Sequence, residues 1–414
     1  MLRVSKRTGV VVLSLFGLLA LVAGLAAAQP ARAALGGLNF ASPQEVRIKP
    51  GPQGLAAGRF NGGRKDDLAL INSTALHASY TTVSIVRATS GGSFRLLRTL
   101  RVAPYSCAIA VADLNRDGKA DLLIAADKGY GHVATLSVRL GNGNATFRAP
   151  HTYRLGVIPR GYRPHPILVG DLNGDHRPDV VVGMGDKVGV LLGTGAGRLG
   201  PLHTYVADPA GLSDGALFSL ALGDVNGDGR LDAVAGCIEG INSPEGIVSV
   251  LLGKGNGAFR AARTHPTGYL LPWGVALADI NHDGRADLLV NNDDDVSDQG
   301  IAPGVDFAAI LVSLGTGNAT FSPAAEYDLG ELGNGALAVA DFNRDGNPDL
   351  AVVLNSGFDV LLGHGDGTFQ TPVVVPHSHW SGDAREAVGD FNGDRRPDVA
   401  VADGKTLSVF LNQP

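Results

Sequence analysis

The sequence predicts an all-β fold: a seven-bladed β-propeller of four-stranded blades, closed by an N-terminal strand that completes the last blade. Three observations predict it. An acidic nine-residue signature recurs along the chain, each copy sits among four short apolar runs, and the N-terminal segment supplies the run that the last copy lacks.

The signature reads DLNRDGKADLL from Asp113, DLNGDHRPDVV from Asp171, DVNGDGRLDAV from Asp224, DINHDGRADLL from Asp279, DFNRDGNPDLA from Asp341 and DFNGDRRPDVA from Asp390. A degraded copy, RFNGGRKDDLA, begins at Arg59. Successive starts lie 49 to 62 residues apart, a period that marks a repeat architecture. An apolar run such as GVALADI precedes each copy and one such as LLVNN follows it. A third run ends in glycines, as in LSVRLGNGNATF, VSVLLGKGNGAF, ILVSLGTGNATF and FDVLLGHGDGTF, and a fourth follows the Phe. These runs are too short, and too interrupted by Gly and Pro, for helices; four strands per repeat make a propeller blade. The last repeat stops at LSVFLNQP, after its third run, while LNFASPQEVRI near the N-terminus matches the fourth-strand pattern of FSPAAEYDLG. Pairing the two ends closes the ring and removes exposed sheet edges.

Residues 1–33 read as a secretory signal peptide: Arg3, Lys6 and Arg7, then an apolar stretch to about Ala28, then Ala31-Arg32-Ala33 as a cleavage pattern. The alternative is an uncleaved anchor, since the stretch approaches the ~20 residues that span a bilayer. Residues 34–414 then form one propeller domain, secreted to an extracellular or periplasmic location, monomeric, and not membrane-spanning after cleavage. Cleavage removes four of the 34 Lys and Arg residues, leaving 30 against 40 acidic residues and a net charge of −10. That balance argues against nucleic acid as a partner. Cys107 and Cys237 lie in non-adjacent repeats and are expected as two separate buried thiols.

The signature points to calcium. This ion takes 6–8 hard oxygens, and side-chain oxygens at positions 1, 3, 5 and 9 with a carbonyl at position 7 of a tight loop supply them. The candidate ligands are Asp113, Asn115, Asp117, the Lys119 carbonyl and Asp121; Asp171, Asn173, Asp175, the Arg177 carbonyl and Asp179; and Asp224, Asn226, Asp228, the Arg230 carbonyl and Asp232. The other three repeats offer Asp279, Asn281, Asp283, the Arg285 carbonyl and Asp287; Asp341, Asn343, Asp345, the Asn347 carbonyl and Asp349; and Asp390, Asn392, Asp394, the Arg396 carbonyl and Asp398. Asp and Asn also cap turns without metal, but six copies in one register weaken that alternative. Four loops carry Gly at position 6, where a left-handed turn is needed. His176 and Arg395 stand there in the other two, which are therefore expected to bind more weakly. The copy at Arg59 lacks the acids at positions 1 and 5 and is expected to bind no calcium; Arg59 either places its guanidinium where the ion would be or is a plain solvated arginine.

DxNxDGxxD followed by LLGxGxGxF, repeated along the chain, resembles the FG-GAP/VCBS repeats, whose best-known relatives are the integrin α-subunit propellers. The resemblance implies seven blades with calcium loops joining the first and second strands on one face, the face opposite the ligand surface in integrins. It leaves the ligand open. The opposite face would carry the acidic segment 291–307, with Asp293, Asp294, Asp295, Asp298 and Asp306, and a loop with Lys128, Tyr130 and His132. A further ligand site and a solvated acidic loop are the two readings of the first. Tyr105, His165, Phe218 and Trp273 are placed to line the channel top, and Trp380 lies near His377 and His379; stacking on a sugar and plain blade packing compete for them. With no H-E-x-x-H motif and no appended catalytic domain, the sequence favours a binding or adhesion module for a glycan or protein. A secreted polysaccharide lyase or hydrolase and a purely structural scaffold are the alternatives.

Overall fold

The computed structural model describes residues 37–73, 81–89, 93–128, 131–158, 166–208, 216–239, 245–268, 271–293, 308–329, 337–377, 380 and 384–414. These contain strands and turns and no helix, so none of them forms a helix long and apolar enough to cross a membrane. The signal segment lies outside the described residues.

Seven four-stranded antiparallel sheets follow one another along the chain. Blade 2 shows the plan: Ser106–Ala112, Asp121–Ala126, Val133–Arg139 and His151–Val157, paired in sequence order. The second strands are buried along their length, as in Asp121–Ala126 and Asp179–Met184, because both faces of a blade pack against neighbours. This is why they read as unbroken apolar runs rather than alternating ones. The fourth strands are mostly exposed, as in Gln44–Arg47 and Arg263–Pro266.

The last blade pairs Arg385–Gly389, Asp398–Asp403 and Thr406–Phe410 with the N-terminal strand Gln44–Arg47, in the register Gln44 to Val409 and Arg47 to Thr406. A further bridge joins Phe40 to Asn412. The predicted closure is therefore present. A separate apolar cluster fills each joint between adjacent blades. Ile167 with Leu123 and Val182 fills the second joint, for example, and Leu55 with Val409 and Phe391 fills the one that closes the ring. Cys107 and Cys237 are buried thiols outside any disulfide, as expected, and burial pushes the Cys237 thiol up to about 12.

Candidate functional site

All six acidic loops lie between the first and second strands of their blades and share one hydrogen-bond scheme. The position-1 carboxylate accepts the position-6 N–H through Oδ2 at 2.6–3.0 Å. The Asn at position 3 accepts the position-5 N–H at 2.8–3.0 Å, and the Asp at position 5 accepts the position-7 N–H at the same distances. Local Asx turns thus wind the loop and hold the oxygens of positions 1, 3 and 5 in a short arc. Lys119, Arg177, Arg230 and Arg285, at position 7, lie 3.3–3.7 Å from the position-5 carboxylates. These pairs are exposed and contribute little to stability.

Position 9 differs from the rest. Asp121, Asp179, Asp232, Asp287, Asp349 and Asp398 are fully buried at the start of the second strands. Each takes the position-2 N–H on Oδ2 at 2.8–3.0 Å. On Oδ1 each takes an N–H at the end of the third strand, from Gly141, Gly193, Gly253, Gly315, Gly363 or Asn412, at 2.7–2.8 Å. The carboxylate therefore clasps the loop to the third strand. It also explains the first glycine of the LLG runs: a Cβ on any of those five glycines would strike the carbonyl oxygen of position 8. Burial pushes the carboxyls of Asp232 and Asp349 up to about 6 and that of Asp398 to about 7, against the pull of these N–H bonds. The other loop carboxylates raise them further. Asp121, Asp179 and Asp287 are raised for the same reasons.

Among the described residues no three Asp, Glu, His or Cys side chains close on one point, since the loop oxygens are turned to their own N–H groups. The donor set nevertheless fits a hard cation. Only oxygen donors are offered, each loop pairs three carboxylates with an amide oxygen, and an ion would take lone pairs now turned to the loop's own N–H groups, which number four at Asp224.

Position 6 is left-handed in every loop, with φ of 62° at His176 and 68° at Arg395 beside 79–92° at the four glycines. Position 4 is left-handed as well: Arg116, His282 and Arg344 occupy it in three loops, and Gly174, Gly227 and Gly393 in the others. The two loops lacking Gly at position 6 thus have it at position 4. Each carries one strained non-glycine residue, as three of the other four loops do, and only the Asp224 loop carries none. Strain does not set the His176 and Arg395 loops apart.

Of the two readings of Arg59, the solvated arginine holds. It does not enter its loop: its guanidinium is largely exposed and pairs with Asp66 at 3.3 Å. In that loop Asn61 donates to Asp67 at 2.6 Å, so an amide stands where the other blades offer a position-2 N–H.

Phe218 and Trp273 meet edge to face at 4.8 Å, and Trp380 is buried, stacked on His377 at 4.7 Å within the joint between blades 6 and 7. Packing in that joint accounts for Trp380, while Phe218 and Trp273 pack on each other. His165, His379, Tyr130, the segment 294–307 and the side chain of Asp293 lie outside the described residues. So does GLSDG at 211–215, which spells G-x-S-x-G. The residues after it form the strand Ala216–Gly223, so the strand–turn–helix setting of a hydrolase nucleophile is missing. A cleft of about 560 Å³ opens between the second and third blades, lined by Asp113, Arg116, Asp171, His176 and Arg177. Arg116 spans it to the His176 carbonyl at 3.0 Å.

The FG-GAP-like repeat model matches residues 113–182, 171–235, 238–290, 301–352 and 341–401. The chain belongs to the FG-GAP-like repeat family. Each matched segment runs from one blade into the next, and the acidic loops fall inside the matched segments. Among solved structures, the chain is similar to BBS1N in its complex with ARL6DN, at 12% identity and a TM-score of 0.57, covering 90% of this chain and 97% of that one. That likeness is one of fold. An Agrocybe aegerita lectin that recognises non-reducing terminal N-acetylglucosamine matches at 18% identity and a TM-score of 0.48, covering 84% and 88%. No curated protein matches significantly.

Proposed function

We propose that this FG-GAP-like propeller is an exported calcium-binding module that presents a ligand-binding surface to a glycan or protein, with no catalytic role. The observation that carries the calcium reading is the sixfold loop. Six separate segments carry Asp, Asn and Asp at positions 1, 3 and 5 of a loop wound by its own Asx turns, beside a third, buried carboxylate at position 9. Each loop would hold its ion through positions 1, 3, 5, 7 and 9, and the ion would neutralise carboxylates that otherwise repel one another. Because strain is shared among the loops, all six are proposed as sites.

The cleft beside Arg116, His176 and Arg177 is the feature that favours a binding role over a bare scaffold. It places cationic donors and the Asp113 and Asp171 carboxylates around one opening, a mixture suited to a hydroxyl-rich or polar ligand.

Ions bound only by the folded state stabilise it by linkage, about 2.7 kcal/mol per site at a hundredfold excess over Kd. Excess EDTA is therefore expected to lower the melting temperature by many degrees, and calcium to restore it; an unchanged melting curve contradicts the metal reading. A glycan array probed with and without calcium tests the ligand reading separately. Retained binding that weakens in Arg116→Ala supports the cleft, and silence across glycans and candidate proteins favours a scaffold.

A further inference from the structure

Charge is unevenly spread along the chain. Residues 68–112 carry four arginines and no acidic residue, and residues 128–170 carry one lysine, five arginines and again no acid, in a protein whose net charge is -6. These stretches supply most of blades 1 and 2 outside their loops.

Strand register places five of the arginines on the two walls of one joint. In blade 1, Val83 and Ile85 of the third strand, Thr81–Ala88, pack into the cluster between blades 1 and 2, so Arg87, two residues on, stands on the same face. Arg95 and Arg98 of the fourth strand, Phe94–Arg101, lie opposite Arg87 and Ile85 and share that face. In blade 2, Arg139 lies opposite Leu122, which enters the same cluster from the other side, and Arg154 lies opposite Thr135, on the face of Arg139. The Arg139 guanidinium crosses the joint and donates to the Arg101 carbonyl at 3.1 Å. Arg87 and Arg95 form a directly opposed pair of like charges, which costs stability. The buried Asp67 carboxylate attracts Arg87, but the salt bridges among the described residues include none of the five.

We propose that this joint binds an anionic polysaccharide, a sugar chain bearing carboxylate or sulfate groups. The arginine fork takes such groups with two parallel hydrogen bonds and sheds its water more readily than an ammonium does. Arg87 and Arg139 are half-buried on third strands, while Arg95, Arg98 and Arg154 are exposed on fourth strands, so the charges lie at two depths. A single flexible chain reaches both, whereas a flat lipid surface meets only the outer three. A peptide adding to the edge strand meets a ladder bent by the bulge at Leu97. The site goes beyond the cleft of Arg116 and His176, which lies between blades 2 and 3, and its failure would leave that cleft and the calcium reading untouched.

The probe is dextran sulfate, with neutral dextran of equal length as control, titrated into the full chain in calcium and in EDTA. Binding of the sulfated chain alone is expected in both, weakening as salt screens the charges. Arg95→Gln/Arg98→Gln/Arg154→Gln is expected to weaken it by about tenfold or more. Lysine at the same three positions should weaken it less, because the charge stays while the fork is lost. Lys254→Gln/Arg260→Gln/Arg263→Gln removes the same charge from blade 4 and should leave binding nearly unchanged. All of these positions are exposed, so the variants are expected to melt like the parent. No binding by the parent, equal losses in the two glutamine variants, or tighter binding to polyglutamate or to phosphatidylserine vesicles would overturn the proposal.

Discussion

Asp349→Ala is expected to destabilise the propeller by about 2–6 kcal/mol, with or without calcium, measured by urea denaturation in EDTA and in calcium. The carboxylate is fully buried and takes the N–H groups of Phe342 and Gly363 at 2.8 Å, and that of Asn343 at 3.3 Å. Removing it orphans the two close donors, at about 1–3 kcal/mol each, and loosens the third. Asp345→Ala, four residues away, is the control. Its carboxylate accepts only contacts within the exposed loop, so its loss should matter in calcium and hardly at all in EDTA. Equal losses for the two variants in EDTA would contradict the clasp. Asp349→Asn should not rescue, because an amide offers one acceptor oxygen and turns an NH₂ toward a backbone donor.

Glu386→Leu is expected to do the opposite and stabilise the protein at neutral pH, by about 1–3 kcal/mol for removing buried unpaired oxygens. Glu386 lies on the innermost strand of the last blade, four residues before its acidic loop. The other six blades have Leu55, Ile109, Ile167, Leu220, Val275 and Leu337 at that point. On its face of the strand, Val388 packs into the joint between blades 6 and 7, with Val353, Phe358 and Val360. Part of the residue is exposed, yet both carboxylate oxygens are sealed from solvent and neither has a hydrogen-bond partner. Burial pushes the carboxyl well above its ordinary value of 4.5. A raised folded-state pKa favours the folded state fully below about 4.5, and that contribution is lost as the pH rises through the folded value. The stability difference between Glu386→Leu and the parent should therefore widen as the pH rises above about 4.5. A difference that stays constant with pH would show that the carboxyl is not titrating where burial places it.

Much of the architecture was legible in the sequence because it is carried by period and pattern. The spacing of the acidic loops gave the blade count, and the likeness of LNFASPQEVRI to other fourth strands gave the closure later found between Gln44–Arg47 and Thr406–Phe410. What escaped depended on contacts between segments far apart in the chain. The position-9 Asp reads as a ligand from its loop alone, and only the folded blade shows its second partner 14 to 28 residues away. Position 4 looked free in sequence because Arg116, His282 and Arg344 disguise a left-handed turn that Gly174 and Gly227 would have betrayed. The loop alone leaves Arg59 two places, at the ion position or in solvent, and its exposed pairing with Asp66 decides for the second. Glu386 stands out as a departure from register, and its meaning needs the joint between blades, where the other six blades place an aliphatic side chain.

The calcium content of the purified full chain, measured by mass spectrometry after equilibration with calcium and removal of free ion, tests the metal loops most directly. Six ions per chain, falling to five in Asp283→Ala, is the result that the six loops predict. A chain that takes up no calcium, or whose content is unchanged by Asp283→Ala, contradicts them.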